Sequence, residues 1–335
     1  MRPRQLLLGL ATLVLTLQAQ APDRAQAQNR AQNQALTYPN RPIRLISPFA
    51  AGGGNDVLAR VIGIKLADRI GASVVIENRP GAGAVIGIQA LAKSAPDGYT
   101  LVLSGSTLAV APTLYKKSPF DANKDFAPIA LVAHYPFLLV ATPSLAARSV
   151  PELIALAKRQ PGQIMYASPG AATSQHLFAE LLMVKTGMDL RHIPYNGTAP
   201  AAVDIVAGRV SLMFVAAAPS IPLLKEGTLR ALAVSSAARL AELPDVPPIA
   251  DTVPGFDESN WSIILAPAGT PPAIVNRLHG ELKAVMAMPE VEKQLASIGM
   301  IPIVSPSPEA LQQFISTEVS RWGSIVQQAG IAGAQ

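Results

Sequence analysis

A two-lobe α/β fold is predicted by three features of this 335-residue sequence. Short apolar runs alternate with helix-patterned stretches, which is the spacing of βαβ units around a mainly parallel sheet. The alternation occurs in two successive series, separated by proline-punctuated stretches near residues 141 and 250. Beyond its leader the chain has about 300 residues, more than a usual single domain and enough to bury a large core.

Residues 1–27 read as a secretory signal: Arg2 and Arg4, an apolar run from Leu6 to Leu17, then small residues around Ala21 and Ala27. That run is shorter than the ~20 residues a spanning helix needs. Residues 28–37 are expected to form a flexible leader, and export to the periplasm is the implied destination. The first lobe is expected over 38–141 and 251–335. It opens with a strand from Ile43, a helix over 56–70, a strand over 74–77, a Gly/Ala turn at 81–84 with a helix to about Lys93, and a strand over 100–103. Apolar runs over 129–133 and 137–140 then meet Thr142-Pro-Ser144, the expected first hinge.

The second lobe, over 142–250, continues the alternation. Helices are expected at 150–159, 173–186 and 199–207, and strands at 164–167, 192–193, 212–215 and 229–234. Pro244, Pro247, Pro248 and Pro254 bar continuous helix or central strand over 243–256, so the return crossing is placed there. A strand over 262–266 and helices over 272–286, 290–297 and 309–328 complete the first lobe. A ligand cleft between the lobes is expected at the carboxyl ends of the strands, where α/β sheets place binding sites.

Composition narrows the chemistry. The chain has no cysteine, which excludes disulfides, thiolate metal sites and a cysteine nucleophile. Its formal charge of +5 falls to +3 if cleavage follows Ala27, because Arg2, Arg4 and Arg24 leave together with Asp23. That balance is too small and too scattered for nucleic acid. A pI near 9.5 modestly favours anionic small molecules.

Three polar turns follow expected strands and precede expected helices. The first runs from Phe49 through Gly53, Gly54 and Asn55 to Asp56. Ser104, Ser106 and Thr107 form the second, and Ser168, Gly170, Ala172, Thr173 and Ser174 the third. Each offers hydroxyls or helix-terminal N–H groups, an inventory that holds a carboxylate without a buried arginine. Ordinary helix capping would explain any one of them equally well. Asp56 fits either a first-turn cap or a group that orients the ligand. Tyr195-Asn-Gly197 is a fourth, weaker cleft turn, and His176 is placed as a residue lining or supporting the third.

Enzyme readings find less support. No Gly-x-Ser-x-Gly elbow is present. The run Gly81-Ala-Gly-Ala-Val-Ile-Gly87 has one residue too many for a dinucleotide fingerprint. His134, His176, His192 and His279 show no metal-binding spacing, so neither metal nor cofactor is expected.

Seven motifs carry a family resemblance: Pro48-Phe-Ala-Ala-Gly-Gly-Gly-Asn-Asp56, Glu77-Asn-Arg-Pro-Gly-Ala-Gly83, Ala95-Pro-Asp-Gly-Tyr-Thr100, Asp125-Phe-Ala-Pro-Ile129, Pro194-Tyr-Asn-Gly197, Leu243-Pro-Asp-Val-Pro247 and Leu265-Ala-Pro-Ala-Gly-Thr-Pro271. In this order they resemble the Bug family, the extracytoplasmic solute receptors of tripartite tricarboxylate transporters. The resemblance covers about residues 38 to 330. It implies a type II periplasmic-binding-protein fold whose two lobes close on a carboxylic acid, held largely by main-chain amides and ordered waters from the first and third turns.

The resemblance also implies a monomer that delivers its ligand to integral-membrane permease subunits. Two positions depart from the family pattern. Asn55 stands where a threonine is common, and Val215 where many members carry an aspartate. Val215 predicts a less polar mono- or dicarboxylate, aliphatic or aromatic, rather than an amino acid or citrate. An orphan ligand sensor fits the same motifs, and an exported hydrolase is the less favoured alternative.

Overall fold

The structure, a computed structural model, describes residues 38–335. The signal and leader expected over 1–37 lie outside the described residues. Among the described residues, eleven strands build two mixed sheets. The first sheet contains β1 (Ile43–Ser47), β2 (Val74–Asn78), β3 (Thr100–Ser104), β4 (Phe126–Tyr135), β10 (Asn260–Pro267) and β11 (Ile301–Pro302), in the order β11-β4-β10-β3-β1-β2. The second has the order β7-β6-β8-β5-β9, from β5 (Phe137–Ala141), β6 (Met165–Ser168), β7 (Arg191–Pro194), β8 (Leu212–Ala216) and β9 (Arg230–Val234).

Helices α1 (Gly54–Ile70), α2 (Val85–Ala92) and α3 (Thr107–Leu114) belong to the first series, and α4 (Val150–Arg159), α5 (Ser174–Thr186), α6 (Thr198–Val206) and α7 (Ala217–Lys225) to the second. Helices α8 (Pro272–Met286), α9 (Pro289–Ser297) and α10 (Pro308–Gln328) close the chain. Local chemistry sets their ends. Gly71 takes the left-handed conformation at φ 68° and returns its N–H to Ala67 O, stopping α1. Ser149 and Ser307 cap α4 and α10 through their hydroxyls. Helix α7, which the sequence reading omits, carries Pro219 in its first turn and Pro222 inside it.

The first crossing falls at Pro136, not at Thr142–Ser144. Strand β5, expected in the first lobe, pairs with β8 and β9 of the second sheet. Its direction has a geometric cause. Phe137, where β5 begins, lies opposite Ala216, where β8 ends. A strand that comes in from the hinge starts at the carboxyl edge of its new sheet and must run antiparallel to the strands ending there. Strand β10 repeats this in the first sheet, with Asn260 opposite Tyr135 at the end of β4. Each sheet is therefore mixed rather than mainly parallel.

The return crossing is also displaced. The proline-rich stretch stays against the second lobe, where Val234 bridges Pro248, and the chain crosses only after Phe256. Ser235 clamps both crossings: its hydroxyl accepts from Phe137 N–H and donates to Glu258 O. One apolar core runs through the hinge. Tyr135 meets Phe137 edge-on, Phe137 meets Phe178 of α5, and Phe178 stacks on Trp322 of α10 at 6.0 Å.

Candidate functional site

The first-lobe glycine turn follows β1 and ends in α1. Gly52 takes φ 84°, a left-handed conformation that favours glycine, whereas Gly53 is extended at φ −79°. Asp56 pins this turn. Its carboxylate accepts from Gly52 N–H (2.9 Å), from Arg60 through two nitrogens (2.9 and 3.0 Å) and from Asn78 Nδ2 (2.8 Å). Burial opposes its ionisation, but the bonds from Arg60, Gly52 and Asn78 outweigh that cost and hold the carboxyl below its usual range. With those acceptor sites occupied, Asp56 shapes the turn. Asn55 is similarly committed, accepting from Ser47 Oγ and donating to Leu103 O.

The second and third turns meet across the lobes. Ser174 donates to Asn260 Oδ1, which leaves Ser106 as the donor to Ser174 at 2.7 Å. Asn260 in turn donates to Tyr135 OH, so this chain of bonds ends at the hinge. Thr107 Oγ1 lies 2.8 Å from Gly83 O and 3.2 Å from Ala172 O, one hydroxyl shared between lobes. Ser104, Ser106, Thr107, Ser168, Ala172, Thr173 and Ser174 are all buried. Ser104 Oγ, at the end of β3, is buried without a hydrogen-bond partner, which is costly unless a ligand or water supplies one.

Further close approaches bring in residues the sequence reading missed. A Cβ on Gly54 would meet Met300, one on Gly299 would meet the N–H of Ala218, and one on Gly197 would meet Ala50. The N-termini of α1, α3, α5, α6 and α7 thus belong to segments that touch across the two lobes. Helix N-termini gathered in this way carry dipoles whose positive ends favour an anion. Asn260, Gly299 and Met300 gave no signal in the sequence, and Gly83 stood out there only as part of a family motif, because only the sheet order brings these residues to the site. Two open surface depressions, one lined by Phe120 and Val319 and one by Arg41, Arg44 and Lys93, contain none of the expected site residues.

Behind the third turn, Ser168 Oγ lies 2.6 Å from His192 Nε2, and the His192 ring stacks on His176 and Tyr166. His176 Nε2 lies 3.3 Å from Glu180 Oε1, which also accepts from Tyr166 OH. Burial, with a smaller contribution from His176, pushes the His192 pKa down to about 3, so its ring is neutral. The serine–histidine contact has nucleophile–base spacing, which the sequence did not reveal. However, Ser168 has no exposed surface, and its hydroxyl also exchanges bonds with Gly170. The contact therefore braces the turn. Tyr195 donates its hydroxyl to Asp204 at 2.7 Å, and Val215 belongs to the apolar cluster of Leu138, Val140 and Val234.

The sequence profile described as "Tripartite tricarboxylate transporter family receptor", TctC, matches residues 58–331. The chain belongs to this receptor family. It is 38% identical to BugT of Bordetella pertussis over 88% of this chain and 91% of that protein. The structure of the periplasmic binding protein BugD superposes with a TM-score of 0.82 at 33% identity, covering 88% of this receptor and 99% of that chain. An R. palustris protein, Rpa4515, solved with adipate, gives a TM-score of 0.82 at 35% identity over the same shares. The expected periplasmic-binding-protein fold and solute-receptor class are shown by these matches.

Proposed function

We propose that this receptor captures a small, largely apolar carboxylic acid in the periplasm and presents it to the permease of a tripartite tricarboxylate transporter. One observation carries the reading: glycine turns, hydroxyls and helix N-termini converge between the lobes, and Asp56 and Arg60 are paired with each other beside them. Such a seat recognises a carboxylate by hydrogen bonds and dipoles instead of a formal cation. The adipate-bound relative supports an acid of this kind. Ligand contacts are assigned to the main chain around Gly53 and Gly54, to Ser104, and to the Ala172–Ser174 stretch, with Ser106 and Thr107 joining the lobes around it.

Val215 stands where many family members carry an aspartate, and the lack of that acid favours an aliphatic middle over a hydroxylated or amino-bearing one. The protein makes and breaks no bond in this reading and acts as a monomer exported by its N-terminal signal. A thermal-shift screen of mature protein against dicarboxylates, aromatic acids, aspartate, glutamate and sugars tests the proposal. Selective stabilisation by adipate or a similar apolar acid is expected. Stronger stabilisation by aspartate or glutamate would overturn the apolar-ligand reading, and stabilisation by sugars alone would overturn the carboxylate reading.

A further inference from the structure

Three described non-glycine residues adopt a left-handed backbone: Ala82 (φ 47°), Ala84 (φ 84°) and Ala172 (φ 65°). All three lie on one seam between the lobes. Residues in this region are strained unless their surroundings impose the conformation, and such strain collects at ligand clamps. At the centre of the seam is Gly83, where a Cβ would sit 1.8 Å from Ala171 O and 3.0 Å from its carbonyl carbon. The contact is reciprocal, because a Cβ on Gly170 would lie 3.2 Å from Gly83 Cα. Peptide therefore packs on peptide, with no side chain between the lobes.

The 81–84 turn has little freedom to retreat. Ala82 O accepts from Tyr115 OH at 3.0 Å, Gly83 O accepts from Thr107 at 2.8 Å, and Gly81 O accepts from Ala84 N–H at 3.1 Å. Opposite it, the 168–172 turn is fixed by Ser168 and by Thr173, which donates to Gly170 O at 2.7 Å. Two backbones held this firmly make a stop whose position is defined by their own van der Waals surfaces.

We propose that Gly83 is a positioning residue for ligand capture: its lack of a side chain lets the 81–84 turn seat against the 170–172 turn, and that seam sets how far the lobes close. The inference rests on the receptor reading above. A methyl group at position 83 holds the lobes apart, so the N-terminus of α5 and the Ser106–Ser174 bond never reach their closed positions. The open protein keeps its fold, because the turn lies at the edge of the first lobe.

Closure can be read without a ligand. The chain has no cysteine, and the Ser106 and Ser174 hydroxyls lie 2.7 Å apart, so an S106C/S174C pair places two thiols near bonding distance only when the lobes meet. The experiment oxidises this pair with diamide in wild-type and G83A backgrounds and, in the serine-containing proteins, titrates adipate by calorimetry. G71A serves as control, because Gly83 and Gly71 both take left-handed backbone, at φ 59° and 68°, and Gly71 has nothing within 4 Å of its Cβ position.

In the G83A background the cross-lobe disulfide is expected to form at least about tenfold more slowly. Adipate affinity is expected to fall about 100-fold, the factor that follows when the binding-competent state drops to about one per cent. G71A should leave affinity unchanged. Unaltered oxidation in G83A, a wild-type pair that does not form the disulfide, or a change in only one of the two readouts would overturn the proposal. If wild type binds no adipate, the carboxylate reading loses its ligand support and the disulfide rate alone decides the role of Gly83.

Discussion

Asp56 and Asn55 illustrate what can be read from single residues. The sequence places both at a helix start beside glycines, but which way their side chains turn depends on partners far along the chain: Asn78 for Asp56, and Leu103 O for Asn55. Removing the Asp56 charge in D56N is expected to cost about 2 kcal/mol, the scale of a charged hydrogen-bond set whose arginine can still reach water. Because the folded carboxyl titrates below its unfolded value, this stabilisation is present above the unfolded pKa and is lost as pH falls through the folded one. Urea midpoints of wild type and D56N should therefore differ at pH 7 and converge towards pH 3. His192 has the same sign over a different window. Its folded pKa of about 3 lies below the usual ~6.5, so the unfolded chain takes up a proton first and stability falls as pH drops from about 6.5 towards 3. The slope contributed is at most about 1.4 kcal/mol per pH unit, and it should vanish in H192Q.

Individual elements were legible where periodicity and a start signal agreed, as in α4 with its Ser149 cap and α8 with its first-turn proline. The reading failed where proline chemistry misleads. Pro219 and Pro222 conceal α7, although a first-turn proline costs a helix no hydrogen bond. Thr142-Pro-Ser144 looked like a hinge, whereas Pro136 is one, because only strand pairing shows that β5 has changed sheets. The glycine turn could be located from sequence, but its three glycines are not equivalent. Gly52 needs its left-handed backbone, while Gly53 is extended and its Cβ position meets nothing nearer than Ala50 O at 3.7 Å. Since the fold does not require glycine at 53, a substitution there separates a ligand role from a structural one. G53V is expected to stay within about 0.5 kcal/mol of wild-type stability, as surface substitutions usually do, while losing carboxylate binding. Unchanged affinity in calorimetry would make the turn a mere connection.

At the scale of the whole molecule, two lobes joined by two short crossings would be expected to unfold separately unless apolar surface joins them. Here the core is continuous, from Tyr135 and Phe137 at the first crossing through Phe178 to Trp322. Helix α10 anchors that path. Glu318 accepts from the indole N–H of both Trp261 and Trp322, and Arg321 pairs with Glu258 beside the return crossing. The sequence showed two lobes, and both tryptophans, Trp261 and Trp322, are visible in it as single residues. It gave no sign that both donate to one carboxylate, since residues 261 and 318 are brought together only by the closing helix. Calorimetry of wild type should accordingly show one cooperative transition whose van't Hoff and calorimetric enthalpies agree. W322A removes the largest side chain of the shared path and should cost about 3–5 kcal/mol. Its more specific effect is loss of coupling, with the second lobe melting ahead of the first as a separate transition. A W322A protein that melts at lower temperature but still in a single transition with matched enthalpies would place the coupling elsewhere, in the Ser235 clamp that ties the two crossings to each other.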